Sequence, residues 1–269
     1  MIIAPKISTK DKQLVPLLKE YEAIEFQLLE ERYQSEVEDA LTLLEDLPKI
    51  KDVCFHLPLQ QCNILVVLSS DKLLSRFTHL LEMLAYTHRR LNYHFQIILH
   101  CRCTAEEFED ADCSGKLISL CHRFSGKGVT ILLENNTPDL GCWEHDLFRK
   151  LFPTTLPMLE PCYDVCHGKI SRRILGELSD PSKRIMSCVH HVHFSDAING
   201  DGYIDKRNTH GRMHCTQQDV NGDLRWLETL GVNLREARII AEINEDDYTR
   251  RPDMFRELEM LKAASLVRR

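Results

Sequence analysis

The sequence lacks the features of membrane, exported and disordered proteins. Its longest apolar stretch, near Ile64–Leu68, is far too short to cross a bilayer. The N-terminus has no basic segment followed by a long apolar run, so no secretory signal is visible. Glycine and proline are sparse, at 11 and 10 of 269 residues, while 43% of the residues are hydrophobic. A chain of this composition can bury a sizeable core, and we expect a soluble, cytoplasmic globular protein.

Basic residues are in the minority. The 41 acidic residues outnumber the 34 basic ones, and the net charge is −7. Because a protein that binds a nucleic-acid backbone usually presents a basic face, this balance argues against a nucleic-acid partner. Cysteine is abundant, at 11 residues, but no Cys-x-x-Cys pair occurs. Without an export signal, we expect these thiols to stay reduced.

Short apolar runs alternate with longer amphipathic segments along the chain. This alternation is typical of βα units and of a parallel sheet. The predicted strands are Ile2–Ser8, Ala23–Leu28, Asp52–Leu57, Phe95–Cys101, Val129–Asn135, Leu159–Val165, Cys188–Ser195 and Arg238–Asn244. Eight strands close a TIM barrel, and barrels of about 250 residues are commonly single domains. The sequence therefore predicts a single-domain α/β protein, a (β/α)8 TIM barrel over residues 1–269, with an open sheet as the alternative.

Helical periodicity fills the intervals between the predicted strands. Gln34–Leu47 and Lys72–Leu91 place apolar residues at three- and four-residue spacing. Thr104-x-x-Glu is a capping-box signal for the helix after the fourth strand. Ile64–Ser70 fits either a ninth strand or the start of a helix. Pro252–Val267 is predicted as a closing helix, with these residues on its inner side: Phe255, Leu258, Leu261 and Leu266.

Six consecutive predicted strands carry a His, Asp or Glu at the carboxyl end of a hydrophobic run. These residues are His56, His100, Glu134, Asp164, His193 and Glu242. A lone histidine in such a place is more often a hydrogen-bonded core residue than a ligand. In a TIM barrel, however, the carboxyl ends of all strands meet at one mouth. The sequence therefore predicts three imidazoles and three carboxylates in one small space.

Such a group of side chains favours a bound metal ion. Three carboxylates without a counter-charge would repel one another and raise each other's pKa. A divalent cation removes that cost, and mixed histidine and carboxylate ligands suit Zn²⁺, Mn²⁺ or Fe²⁺. We therefore predict one to two divalent metal ions per chain at the mouth.

The His190-His191-Val-His193 run needs a choice between histidines. Alternation along a strand sends His191 and His193 to one face and His190 to the other. His193 is then the better ligand, and His191 would lie deeper in the barrel.

Five motifs recur in the order of a known superfamily. They are Ile131-Leu-Leu-Glu-Asn135, Tyr163-Asp-Val-Cys-His167, Val192-His-Phe-Ser-Asp196, Thr209-His-Gly211 and Ile240-Ala-Glu-Ile243. With them, the chain resembles the xylose isomerase-like TIM-barrel superfamily, which includes sugar and sugar-phosphate isomerases and epimerases and the AP-endonuclease-type nucleases. The resemblance covers most of the chain at the level of motifs.

The resemblance implies a role for each matching position. The metal quartet of the superfamily would be Glu134, Asp164, His193 and Glu242. His167 matches a histidine beside the quartet, which contacts substrate in the isomerases and holds a further metal in the nucleases. His56 and His100 match a histidine pair that binds another metal in the nucleases. His210 matches a histidine on the loop after the seventh strand.

One position departs from the nuclease pattern. The nucleases pair the loop histidine with an aspartate two residues earlier, where this chain has Asn208. A neutral amide is a poorer ligand for a dication than a carboxylate. Asp205 would substitute only in a rearranged loop. A third metal is therefore not expected.

The preferred hypothesis is a metal-dependent sugar or sugar-phosphate isomerase or epimerase. Its catalytic groups would be Glu134, Glu242 and His167, which would move a proton at a carbon next to a metal-polarised carbonyl. The substrate-binding candidates are His167, Lys206, Arg207 and His210, because a basic pair at the mouth would hold a phosphate.

Two alternatives stay open. One is an AP-endonuclease-like phosphodiesterase with a second metal on His56 and His100. The other is a barrel that binds a ligand without turnover, since a fold alone does not decide the reaction. The expected partner is a small carbohydrate or phosphorylated molecule, no membrane partner is expected, and a homodimer is among the possible oligomeric states.

Overall fold

The strands of the computed structural model close into one parallel barrel, in the order β1 to β8. The structure describes residues 1–29, 33–58, 63–135, 144–152, 156–176, 180–196, 211–243 and 250–268. The strands are β1 (Ile2–Ser8), β2 (Ala23–Gln27), β3 (Asp52–His56), β4 (His94–His100), β5 (Val129–Glu134), β6 (Leu159–Asp164), β7 (His191–Phe194) and β8 (Arg238–Ala241). The predicted (β/α)8 barrel is confirmed, and the expectation of a single domain stays a prediction.

Helices connect the strands and cover the outside of the barrel. They are α1 (Val15–Leu18), α2 (Gln34–Leu44), α3 (Ile64–Ser69), α4 (Asp71–Leu91), α5 (Ala105–Asp110), α6 (Cys113–Phe124), α7 (Glu144–Leu151), α8 (Val165–Leu175), α9 (Lys183–Met186), α10 (Gln217–Leu230) and α11 (Pro252–Val267). The ambiguous segment after β3 is helical, and the Asn63 side chain caps α3 by accepting a hydrogen bond from the Leu65 amide. The capping box at Thr104 is confirmed. None of the helices within the described ranges is long and apolar enough to cross a membrane.

Two predicted details are wrong. The seventh strand begins at His191 rather than Cys188, because the Cys188 and Val189 amides already donate to carbonyls of α9 and cannot join the ladder. Leu266 is 68% exposed instead of facing inward. It lies five residues beyond the buried Leu261, which turns it about 140° away from the inner face of α11.

The outer face of the strands is apolar, whereas the barrel interior carries polar side chains together with a small apolar cluster that includes Ile98 and Leu132. Phe26, Phe55 and Phe95 point outward from adjacent strands and stack with ring centroids 5.9 and 6.2 Å apart. They form part of the hydrophobic layer between the strands and the helices. Because side chains alternate along a strand, the residues before and after each phenylalanine point to the barrel interior. The ionisable residues at the strand ends therefore face one another.

Gly128 fixes the start of β5 against the end of α4. Its φ of +72° is in the left-handed region, and a Cβ at this position would overlap the His88 ring. That ring is held by a 2.7 Å hydrogen bond from Nδ1 to the Tyr93 carbonyl. The Gly128 carbonyl in turn accepts from the Phe95 amide of β4 at 3.0 Å.

We predict that Gly128→Ala lowers the free energy of unfolding by about 3 kcal/mol, because left-handed strain adds to overpacking. Gly126→Ala is the matched control, since its φ is +69° but a Cβ there would contact none of the described residues within 4 Å. The control is expected to lose about 1 kcal/mol. Urea unfolding measures both, and equal losses would show that contact with His88 is unimportant.

Candidate metal centre

Four predicted ligands come together at the carboxyl ends of β5 to β8. They are Glu134, Asp164, His193 and Glu242, and one potential ligand atom of each lies within 4.8 Å of the others. All four side chains are buried. Asp164 and His193 are register partners on β6 and β7, so the barrel itself places them side by side. Ligand atoms around one ion are separated by roughly 3–4 Å when each bond is about 2 Å, so the group has the dimensions of a coordination site.

His193 presents one ring nitrogen to two carboxylates of this group. Its Nδ1 lies 2.6 Å from Glu242 Oε2 and 3.2 Å from Glu134 Oε1. Burial acts to lower the pKa of His193, but the surrounding negative charges, Glu242 among them, raise it well above its usual value. A cation among these three groups, whether a proton or a metal ion, is therefore strongly stabilised.

A second group forms where β3, β4 and β5 end. His56, His100 and Glu134 offer ligand atoms that all lie within 4.8 Å of one another. The Nε2 atoms of the two histidines are 3.1 Å apart, and Glu134 Oε2 is 3.0 Å from that of His100. Burial lowers the pKa of His100 to about 3, so its ring is neutral. His56 Nδ1 lies 2.9 Å from the Leu57 carbonyl, and donation to that carbonyl leaves Nε2 with its lone pair facing His100.

Glu134 belongs to both groups of candidate ligands, and one of its oxygen atoms has the surroundings expected of a metal ligand. Among the described residues, no hydrogen bond reaches its buried Oε2 atom, although two imidazoles lie nearby. Burial acts to raise the pKa of Glu134, but the charge of His193 is the largest of the effects that hold it well below its usual range. An ionised, buried oxygen without a donor is costly, and a divalent cation supplies the missing partner.

Asp164 is fixed by the local backbone. Its amide donates to Asn135 Oδ1 at 2.6 Å, and its Oδ1 caps α8 by accepting from the His167 amide at 2.6 Å. Burial, together with the charges of Glu134 and Glu242, raises the pKa of Asp164 to about 6. The nearby positive charges therefore do not fully balance this carboxylate, and a divalent cation would stabilise its ionised form.

His167 lies beside the quartet, as the sequence analysis predicted. Its Nδ1 is 3.0 Å from the Asn135 carbonyl and 3.5 Å from Glu134 Oε1. Burial acts to lower the pKa of His167, whereas Asp164 and Glu134 raise it, and the net shift is upward. The ring can therefore hold a proton next to the carboxylates. The remaining predicted site residues lie outside the described residues, and their roles stay predictions: Lys206, Arg207 and His210, with Asn208 and Asp205.

Two buried residues of the mouth escaped the sequence analysis. Lys6 on β1 forms ion pairs with Glu242 at 2.6 Å and with Glu25 on β2 at 2.9 Å. Burial acts to lower the pKa of Lys6, but the two carboxylates raise it, so the ammonium is fully charged. The sequence feature that could have identified Lys6 and Glu25 is a charged residue within an otherwise apolar strand, as in Ala23-Ile-Glu-Phe.

A separate ionic network lies outside the barrel, next to the segment that follows β7. Lys169 bridges Asp196 and Asp223, and His214 donates to Asp223 at 2.8 Å and to Glu257 at 2.6 Å. Burial acts to lower the pKa of His214, but hydrogen bonds to the two carboxylates raise it to about 9. His214, which the sequence analysis left without a role, thus links α10 to α11.

Comparison with known proteins identifies the fold. No protein-family model and no curated protein sequence matches the chain. The IOLI protein with a binding zinc atom aligns at a TM-score of 0.64 and 14% identity, over 99% of this chain and 97% of that one. Endonuclease IV from Thermus thermophilus aligns at 0.57 and 16%, over 98% and 99%. D-psicose 3-epimerase with D-tagatose, from Clostridium cellulolyticum, aligns at 0.58 and 11%, over 99% of both chains. The chain therefore has the fold of the xylose isomerase-like TIM barrels.

We predict that the His214 network makes stability depend on pH. The pKa of His214 is raised from 6.5 to about 9 by folding, so its contribution is complete below pH 6.5 and is lost as the pH rises through 9. The loss is on the order of 3 kcal/mol. Urea unfolding from pH 6 to 10 measures it, and His214→Gln should reduce the change in unfolding free energy over this range by that amount. His79→Gln, at a 66% exposed histidine, is the control and should leave the profile unchanged. An equal pH dependence in the wild type and in His214→Gln would contradict the assignment.

Proposed function

We propose that the chain is a metal-dependent enzyme that moves a proton on a small sugar or sugar phosphate, as isomerases and epimerases do. The observation that carries the proposal is the buried group of Glu134, Asp164, His193 and Glu242 at the barrel mouth. Support comes from the zinc atom in the IOLI protein and from the sugar ligand of the D-psicose 3-epimerase, both of which share the fold. Zn²⁺, Mn²⁺ and Fe²⁺ all suit such a donor set.

The chain's own residues supply the proton transfers. A divalent ion held by the quartet would polarise a substrate carbonyl and its neighbouring hydroxyl and so acidify the adjacent C–H. Glu134 at the end of β5 and Glu242 after β8 are not on neighbouring strands, so we expect them to approach a substrate from two directions. One of them accepts the proton from carbon, and the other, or His167, returns a proton to the product. His167 suits the second role because its raised pKa lets it carry a proton.

The charge distribution favours a small substrate. Lys6 is buried and engaged by two carboxylates. Arg251 is also buried, and it donates to the carbonyls of Lys6 and Ile243. Neither cation is available to a nucleic-acid backbone, and the net charge of −7 acts in the same direction.

One observation favours a second candidate function. Glu134 belongs both to the quartet and to the group with His56 and His100, so it could bridge two ions. Two metal ions sharing a carboxylate suit in-line displacement at phosphorus, with one activating water and the other stabilising the leaving oxygen. A phosphodiesterase is therefore the alternative, and endonuclease IV, which has the same fold, makes it worth testing.

We predict that purified protein from metal-replete cells carries one to two equivalents of transition metal and that Glu134→Gln loses them. The loss is expected because Glu134 belongs to both groups of ligands. Glu257→Gln is the control, since Glu257 is also a buried carboxylate but lies outside the mouth. Metal is counted by elemental mass spectrometry. Absence of metal from the wild type, or retention by Glu134→Gln, would contradict the proposal.

We further predict proton exchange without phosphodiester cleavage. Incubated with a ketose panel in D₂O, the wild type should incorporate deuterium next to the carbonyl, and His167→Asn should slow this by about 100-fold. An abasic-site duplex should stay intact. Duplex cleavage that is lost in His100→Ala, without any deuterium incorporation, would replace the isomerase with the phosphodiesterase.

A further inference from the structure

Glu25 contacts three other buried polar side chains, and it lies one layer of side chains below the candidate metal centre. Its side chain is inaccessible to solvent. Oε2 lies 3.0 Å from His193 Nε2 and 3.1 Å from His191 Nε2, while Oε1 lies 2.9 Å from the Lys6 ammonium. An ionised carboxylate only accepts hydrogen bonds, so each facing nitrogen must carry the hydrogen. The Lys6 ammonium, 2.9 Å from Oε1, is the counter-charge that a buried carboxylate needs.

This contact determines which nitrogen of His193 faces the mouth as a ligand. With the hydrogen on Nε2 and directed at Glu25, a neutral ring keeps its lone pair on Nδ1. Nδ1 is the atom that lies among Glu242 Oε2 and Glu134 Oε1, at 2.6 and 3.2 Å. With the opposite tautomer, a hydrogen would occupy the space of the ion.

We propose that Glu25 is a positioning residue that fixes the Nε2–H tautomer of His193 and thereby directs its Nδ1 atom at the metal. The proposal rests on the metal centre of the proposed function and deepens it. It gives a role to β2, a strand that supplies no ligand to the quartet. Orientation of metal-binding histidines by carboxylates is a general device, and losing the carboxylate commonly weakens metal binding.

His191 extends the same chain of hydrogen bonds into the barrel. Glu25 Oε2 lies 3.1 Å from its Nε2 atom, so that nitrogen carries the hydrogen, and Nδ1 of a neutral ring is left as an acceptor. Its Nδ1 must then accept from the Gln96 side chain, whose amide oxygen lies 3.2 Å away. Rotating that amide by half a turn places its NH₂ group on Nδ1. The Gln96 nitrogen, which has no partner among the described residues in the unrotated form, is then satisfied.

Lys6 connects Glu25 to the metal ligand Glu242. It lies on β1, between the strands that carry the two carboxylates, and its ammonium contacts Oε1 of both. With Oε1 of Glu242 held in this way, Oε2 faces His193 Nδ1. Because Lys6 contacts Oε1 of Glu25, the Oε2 atom faces His191 and His193.

The test compares Glu25→Gln with the wild type for Zn²⁺ affinity, measured by chelator competition. An amide oxygen accepts but its NH₂ group donates, so one facing N–H group loses its acceptor. We expect the affinity to fall about 10- to 100-fold. Gln96→Leu is the control, because it interrupts the hydrogen bonds beyond His191 and leaves the contact between Glu25 and His193. The Zn²⁺ affinity of this variant should change less than about threefold.

Two further readouts separate positioning from general loss of structure. In the Zn²⁺-loaded wild type, the ¹⁵N shifts of His193 should show a protonated Nε2 and a metal-bound Nδ1, and Glu25→Gln should lose this pattern. Glu25→Asp keeps the acceptor but withdraws it, and it should bind with intermediate affinity even if the amide variant folds poorly. Equal affinity and equal ¹⁵N shifts in wild type and Glu25 variants would overturn the inference. A wild type that binds no metal would instead overturn the proposed function.

Discussion

Repulsion between buried carboxylates is the constraint on which the mouth of this barrel depends. Glu25, Glu134, Asp164 and Glu242 are all buried, and parallel strands bring them into one space. Lys6 balances two of them through direct ion pairs, but Glu134 and Asp164 contact histidines rather than a lysine or arginine among the described residues. Removing carboxylates from water without a counter-charge costs several kcal/mol for each ion. A dication at the quartet would remove this cost, and the same ion would provide the Lewis acid that the proposed chemistry needs.

The outer and inner faces of the barrel strands have different roles. Apolar side chains outside the strands, including Phe26 and Phe55, pack under the helices and hold the strands in register. Inside the barrel, the polar side chains lie above a small apolar cluster that includes Ile98 and Leu132. Below the candidate ligands, Glu25 and His191 continue the polar interior and determine how the ligands are oriented. The strands nearest the N-terminus thus act on the metal centre without supplying ligands to the quartet.

Much of the site was predictable because strand ends have a simple signature. A polar residue after an apolar run identified Glu134, Asp164 and His193, and barrel closure brought them together. Alternation along the strand also placed His191 below His193, where it contacts Glu25. Lys6 and Glu25 were missed because they lie within strands, and their partners are distant in sequence. The start of the seventh strand was missed because α9 competes for the same amides, and the spacing of apolar residues does not reveal that competition.

The central claim is that a divalent metal lies at the quartet, and anomalous diffraction tests it most directly. Crystals grown with Zn²⁺ or Mn²⁺ are measured on both sides of the metal absorption edge. The account predicts an anomalous peak about 2.0–2.2 Å from oxygen or nitrogen atoms of Glu134, Asp164, His193 and Glu242. A mouth without a peak would contradict it, most clearly if the peak appeared instead at the Asp196, His214 and Asp223 group, whose potential ligand atoms also lie within 4.8 Å of one another.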